Sequence, residues 1–552
     1  MSLGIVLALA GIAGLAALMV GFSGPLTVQD DARQFVFWMA EWRDESFFRG
    51  DLVAEYWRSV SPWLFTAVYR AFDLVGIEPL TTARILPIIL FPATGFFAFR
   101  FARAISDDPR VAALGALLLL LGLVSDDGVV SATPRAFAPL FFLIFLDGLA
   151  RRLTLQVAIG LFCLAGVYPH LAIVGTTVLG IVFVDFTNGP RLKFAKADLT
   201  LLAAGVVAAV AGVTPFLVES GQFGPTVTPE TATQFATFGP GGRSSVFGPD
   251  GTIDFACGRR IGLFAGLPGC EGFASPVFWL AIAAVAAPPA LVFVRYLRSN
   301  GRSGSPIPFA VVLAGFAWFA IAALVAFRLH LPNRFVVRAI PMMTQLCLGL
   351  LIGEFIRDRL AAGSAGARAK SRVAITVGIV VLAVFGALVA TQTLRYFKTW
   401  KRPSLAEAIA SLPVGTVIAG FVSDTDYVPL LAKRRVLFSI ELAVGYHLGY
   451  FRQIEARMQD MVEAELTPDV TVLADRLARN AVDVYLVEAG RVADRQSDEN
   501  FARILGDFVE QKRAELGDAP TALSRLAPPC RQGTFDGIEV LDARCLIAAA
   551  QR

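Results

Sequence analysis

Apolar residues gather into long runs up to about residue 392 of this 552-residue chain, and beyond that the pattern becomes that of an ordinary soluble domain. Crossing a bilayer as a helix takes roughly 20 predominantly apolar residues. Eleven runs are candidates: 3–21, 82–99, 111–124, 136–150, 153–167, 171–186, 199–218, 276–294, 307–327, 336–356 and 373–392. The first also resembles the core of a secretory signal, but it lacks a basic flank and a clear small-x-small cleavage site, so it reads as a span. Residues 56–78 differ. They carry Arg58, Arg70 and Asp73, and Trp57, Val60, Leu64, Val68, Phe72 and Val75 recur three or four apart. That pattern predicts an amphipathic helix lying on the membrane surface.

Beyond residue 392 the pattern predicts a mixed α/β domain. Strands are expected over 416–422, 435–439 and 482–487, and helices over 403–411, 446–465, 469–480 and 498–514. The segment 219–275 is rich in Gly, Pro, Ser and Thr and has no helical period, which suits an ordered or semi-mobile lid. The expected fold class is therefore an α-helical polytopic membrane protein of about eleven spans with a C-terminal soluble domain. Its domains are 1–392, including outer loops 22–81 and 219–275, and 393–552.

Orientation follows from the basic residues. Arg100, Arg103, Arg110, Arg151, Arg152, Arg191, Lys193, Lys196, Arg295, Arg298, Arg302, Arg357, Arg359, Arg368, Lys370 and Arg372 fall in alternate short connections. Cytoplasmic connections carry this excess, which puts the N-terminus inside and residues 22–81 and 393–552 outside.

Composition agrees. The chain is 55% hydrophobic and 17% charged, with a mean hydropathy of +0.62, which excludes a soluble enzyme for most of its length. A net charge of +4 without a Lys/Arg run gives no reason to expect nucleic acid as a partner. Three His and six Cys leave zinc-cluster, haem and iron–sulfur readings short of ligands. Cys257 and Cys270 lie in the long outer loop, and Cys530 and Cys545 in the outer domain. Close pairs on the oxidising side predict two disulfides.

Candidate chemistry clusters at the outer ends of the runs. Asp30 and Asp31 follow the first span within Val28-Gln29-Asp30-Asp31-Ala32-Arg33-Gln34, where they suit a general base and an orienting group, or a helix N-cap for 32–43. Asp126 and Asp127 precede Gly128 in the next outer connection. They suit a turn, or, if the outer loops share a cavity, carboxylate ligands for Mg²⁺ or Mn²⁺. Arg135 and Arg334 each follow a Pro closely in short outer connections. A guanidinium there can hold a phosphate through two parallel hydrogen bonds, or snorkel to the interface. His170 and His330 lie in equally short connections and suit substrate contact or a structural role. No GxGxxG, Walker, HExxH or GxSxG motif is present.

The acidic pair after the first span, the amphipathic first outer loop and the segment Pro332-Asn333-Arg334-Phe335 together resemble the GT-C superfamily of membrane glycosyltransferases. In the outer domain, Val417 to Gly420, Ile440-Glu441 and Tyr446 to Tyr450 are similar to bacterial members. The resemblance implies an enzyme in a bacterial inner membrane with a periplasmic C-terminal domain. It implies a polyprenyl-phosphate-linked sugar as donor, with an undecaprenyl lipid, and a glycan, lipid or protein acceptor outside the cytoplasm. Asp30 or Asp31 maps onto the family's catalytic acid, Asp126 and Asp127 map onto its second acidic motif, and Pro332 to Phe335 look like the phosphate-binding segment of bacterial members, so that Arg334, joined by Arg135 from its own position, is expected to hold the lipid phosphate. Two other readings remain open: a transporter or flippase of lipid-linked sugars, and a non-catalytic protein of envelope-glycan assembly.

Overall fold

The computed structural model describes residues 2–186, 189–193, 195–219, 221–301, 303–362, 380, 383–389, 391–490 and 499–552. Each expected apolar run up to 336–356 contains a helix: Ser2–Gly21, Pro79–Ile105, Pro109–Val124, Pro134–Ala150, Thr154–Val167, Pro169–Val182, Lys196–Glu219, Pro276–Arg298, Ile307–Leu324 and Ala339–Ala362. Half of the last run, 373–392, lies outside the described residues. Pro79, Pro109, Pro134, Pro169 and Pro276 open their helices, where the missing N–H is no loss. By length and composition, six helices among the described residues can cross a membrane, and the chain is a multi-pass membrane protein. Val207, Leu280 and Leu324 point outward from the bundle, as lipid-facing residues do.

Small residues let the helices approach closely. A Cβ on Gly349 would lie 2.6 Å from the Leu114 carbonyl oxygen, and one on Gly160 would lie 2.6 Å from the Phe145 backbone nitrogen. Several residues of the basic connections pair at one end of the bundle. Arg100 and Arg151 reach the fully buried Asp147 at 3.0 and 2.7 Å, Arg152 pairs with Asp198, and Arg295 pairs with Glu354.

Several expected boundaries move. The run 171–186 ends as a helix at Val182, and the chain turns into a short ribbon. The stretch 56–78 is two helices, Leu52–Ser59 and Trp63–Leu74, broken at Ser61-Pro62. Its buried stripe in the second helix is Phe65 and Tyr69, while Val75 is exposed. Tyr69 gains a hydrogen bond to the Ala132 carbonyl there, which the apolar spacing does not encode.

The strands, numbered along the chain, are β1 Thr27–Gln29, β2 Val184–Asp185, β3 Arg191–Leu192, β4 Phe397–Thr399, β5 Val417–Ala419, β6 Arg435–Val436, β7 Val484–Glu488, β8 Arg531–Phe535 and β9 Ile538–Asp542. The C-terminal sheet has the order β6-β5-β7-β9-β8, with β5 parallel to β6 and β7, and β9 antiparallel to β7 and β8. β5 stops at Ala419 because Gly420, at φ +152°, passes so close to Leu486 that a Cβ would lie 2.3 Å from its carbonyl oxygen. The helix expected over 498–514 is two, Glu499–Leu505 and Phe508–Leu516, separated at Gly506 with φ +58°. The β8–β9 hairpin is a feature the sequence pattern did not predict.

Three ties bind the C-terminal domain to the rest. β1, directly after the first span, pairs antiparallel with β4. The loop 221–275 docks on the C-terminal domain: Val227 N–H donates to the Tyr446 carbonyl at 2.9 Å, and Arg243 donates to the carbonyls of Glu441 and Ala443. The third tie runs through Arg33, described below. Both expected disulfides are present, Cys257–Cys270 and Cys530–Cys545, with Cα separations of 5.9 and 5.4 Å.

Candidate active site

The site begins where β1 ends. Asp30 N–H donates to the Tyr396 carbonyl, which fixes the acidic pair against the strand just past the bundle. Asp31 stands at the N-cap position of the helix Ala32–Phe35 but makes no capping bond. Gln29 Oε1 accepts from the Ala32 N–H instead, at 3.0 Å. The Asp31 carboxylate is thereby free to pair with Arg135, whose guanidinium also reaches Asp127 at 2.7 Å. Pro134 opens the helix carrying Arg135, so this cation stands at the mouth of the bundle.

Turn chemistry falls on Asp126 rather than Asp127. Asp126 Oδ1 accepts from the Gly128 N–H at 2.6 Å and lies 3.3 Å from the Arg338 guanidinium. Gly128 is required by this approach, because a Cβ there would lie 2.5 Å from Arg338 Nη1. Asp127 faces inward, where burial and the neighbouring Asp126 push its carboxyl up to about 6 against the opposing pull of Arg338.

Arg334 lies in the tight turn Pro332–Phe335, held by Asn333 donating to the Arg260 carbonyl at 2.8 Å. The buried Tyr168 hydroxyl faces both Arg334 and Arg338, without a well-directed hydrogen bond. Burial alone would raise this phenol, but the two guanidiniums outweigh it and lower its pKa. Arg135 and Arg338 each hold carboxylates, and each keeps a buried Nε without a partner. Among the described residues, Arg334 pairs with no carboxylate, and it lies within the field of Arg135 and Tyr168.

His170 and His330 also meet, with ring centroids 5.5 Å apart. His170 packs on Phe335 and His330 on Tyr446, so the pair joins the bundle to the C-terminal domain beside Arg334. Burial, then His170 and Arg334, hold the His330 imidazole well below its ordinary pKa.

Asp30 faces the other way. Arg33 pairs with its Oδ1, and Lys398 lies 3.9 Å from its Oδ2, leaving the carboxylate partly open to solvent. Arg33 itself is buried, stacked 4.7 Å from the Tyr427 ring centroid, and lies 3.9 Å from Asp426 and 3.7 Å from Glu441. Gln34 donates to Glu441 as well. Burial and the adjacent Glu441 push Asp426 up to about 6, and Arg33 opposes them. These acids follow β5 and β6 at the carboxyl ends of the parallel strands, the usual location of polar sites in such sheets. Arg33→Met would leave two buried carboxylates facing each other. The expected cost is about 3–5 kcal/mol, read as a lower thermal midpoint, with part of it recovered when Asp426→Asn is added. Full stability in Arg33→Met would remove this tie.

The acids do not fit a metal centre. Each is engaged by a guanidinium or a backbone N–H, and no three His, Cys, Asp or Glu side chains gather as a ligand set among the described residues.

Six sequence-expected residues therefore meet at one end of the bundle: Asp30, Asp31, Asp126, Asp127, Arg135 and Arg334. Arg338, Tyr168, Arg33, Lys398, Asp426 and Glu441 complete the cluster. Arg338 had one signal, a charge inside the apolar run 336–356 and four residues after Arg334. Asp426 is brought to Arg33 by the fold of the C-terminal domain, with no local pattern to announce it.

No family model matches the chain, and no curated protein sequence does. Solved structures of an archaeal oligosaccharyltransferase are similar to it in chain course. AglB from Archaeoglobus fulgidus, in complex with an inhibitory peptide and a dolichol-phosphate, is 12% identical over 93% of this chain and 72% of that one, with a TM-score of 0.47. The Archaeoglobus fulgidus enzyme in its apo form is 12% identical over 96% and 74%, with a TM-score of 0.49. The form tethered to an acceptor peptide is 11% identical over 96% and 73%, with a TM-score of 0.47. At this level the likeness assigns no role to any residue.

Proposed function

We propose that the chain is a membrane glycosyltransferase of GT-C type that moves a sugar from a polyprenyl-phosphate-linked donor, with undecaprenyl as its lipid, to an acceptor glycan, lipid or protein outside the cytoplasm. The observation that carries this reading is the meeting of Arg334, free of any carboxylate among the described residues, with Arg135, Arg338 and Tyr168, next to the Asp30–Asp31 pair. A lipid phosphate at the mouth of the bundle needs guanidinium donors to fix it and to stabilise charge as it departs. An acceptor hydroxyl needs a nearby base.

The proposed step is an in-line, inverting displacement. The acceptor oxygen attacks the anomeric carbon and gives its proton to Asp30. The bond from that carbon to the phosphate oxygen breaks, and the phosphate leaves with the electron pair, held by Arg334 with Arg338. Asp31 and Asp127 orient Arg135 between the two halves. Asp30 is preferred to Asp31 as base because its carboxylate is partly open, whereas Asp31 is committed to Arg135. His170 and His330 shape the wall beside Arg334.

The polar groups lie at one end of the bundle, where a transporter would set its site near the midplane. Purified protein in nanodiscs, given a panel of polyprenyl-phosphate hexoses and pentoses with acceptor glycans, should release polyprenyl phosphate. Movement of intact donor across liposomes without release would replace this reading with the flippase.

A further inference from the structure

A cavity of about 490 Å³ opens in the first outer loop between the helices Leu52–Ser59 and Trp63–Leu74 and the neighbouring Trp38–Trp42 turn. Its volume falls in the roughly 300–1,000 Å³ range of small-molecule sites. Trp38, Trp42 and Trp63 line it, together with Glu55, Arg58 and Gln222. Trp63 is anchored by its indole N–H on the Gly212 carbonyl at 2.8 Å, so the loop is braced against the long helix Lys196–Glu219. Trp38 packs edge-to-face on Trp42, which keeps that wall rigid. The cavity shares none of the carboxylates and guanidiniums of the candidate active site.

Its charges select a ligand class. Arg58 is neutralised by Glu41 and lies over the Trp38 ring, and Arg70 lies over the Trp42 ring. With a guanidinium already over each of these two rings, only Trp63 of the three tryptophans carries none among the described residues, so the three do not form an open cage for a quaternary ammonium group. Glu55 has no ion-pair partner among the described residues and repels a phosphate or other anion. What suits the Trp63 ring, with the Trp38–Trp42 pair as a side wall and a carboxylate and an amide beside it, is a neutral ring with apolar C–H faces and equatorial hydroxyls. That is a sugar ring.

We infer that this cavity binds a saccharide unit of a glycan, at a site separate from the carboxylate–arginine cluster. The inference rests on the proposed glycosyltransferase reading only for its role, which is to hold a part of the glycan substrate away from the reacting carbon. Binding itself does not depend on turnover.

The test uses the full chain in zwitterionic-lipid nanodiscs and saturation-transfer NMR with soluble manno-, galacto-, gluco- and arabino-oligosaccharides as probes. At least one probe should bind the unsubstituted protein. Trp42→Ala should weaken that binding about tenfold or more. Glu55→Gln, which keeps size and fold, should weaken it about threefold or more. Donor hydrolysis measured in parallel reports on the other site, so loss of binding with phosphate release intact keeps the two readings distinguishable. No binding by any probe overturns the inference. Binding unchanged in Glu55→Gln and in folded Trp42→Ala also overturns it, as does binding displaced by lipid headgroups alone.

Discussion

Asp30→Asn is expected to lower sugar transfer about a hundredfold or more while leaving donor affinity nearly unchanged. The substitution keeps the shape and removes the proton acceptor. Arg33 would still hold a side-chain oxygen in place, so the backbone after β1 has no reason to move. Because the phosphate contacts lie on the arginine side, the loss should appear in kcat rather than in donor binding. Asp31→Asn should behave differently. It weakens the pair with Arg135 and loosens the Asp127 contact through the same guanidinium, so it should raise the donor KM as well. Single-turnover transfer with pre-bound donor separates the two. Full activity in Asp30→Asn would take the base role from this residue.

Arg334→Ala should weaken donor binding about tenfold to a hundredfold, the equivalent of losing charge-assisted hydrogen bonds worth roughly 1.5–3 kcal/mol. Arg135 and Arg338 spend much of their charge on Asp31, Asp127 and Asp126, whereas Arg334 has no such partner among the described residues. It is therefore the cation with most charge to offer a phosphate. Arg334→Lys should lose less, since an ammonium keeps the attraction but not the planar fork. Both variants should fold, because Asn333 and Phe335 rather than Arg334 hold the turn. An interfacial snorkelling role would make Lys equal to Arg and leave Ala with only a stability loss. Donor titration at matched expression distinguishes the two.

Much of this was legible in the sequence for a physical reason. Lipid-facing helices must be apolar along their length, so runs such as 276–294 and 307–327 announce themselves, and Pro at a helix start marks where they begin. The acids and arginines stood out because charges at the ends of such runs are few. What stayed hidden depends on chain sections far apart. Nothing near Asp31 says that Gln29 will take over the capping bond and release it to Arg135. Nothing near Asp426 says that the turn after β5 will carry it to Arg33. The stripe in 63–74 was misphased because a buried Tyr hydroxyl found a carbonyl across the bundle, and hydrophobic period is blind to that bond. The tryptophan cavity was invisible for the same reason, since Gln222 and Trp63 become neighbours only when the loop folds over the helix Lys196–Glu219.

The arginine cluster at the mouth of the bundle is proposed to hold a lipid phosphate. Cryo-electron microscopy of the protein with added undecaprenyl phosphate tests it most directly. Density for the phosphate should lie within hydrogen-bond reach of Arg334 and Arg338, near Tyr168, with the prenyl chain running down the lipid-facing side. A phosphate bound instead at the opposite end, near Arg100 and Arg151, would contradict the account.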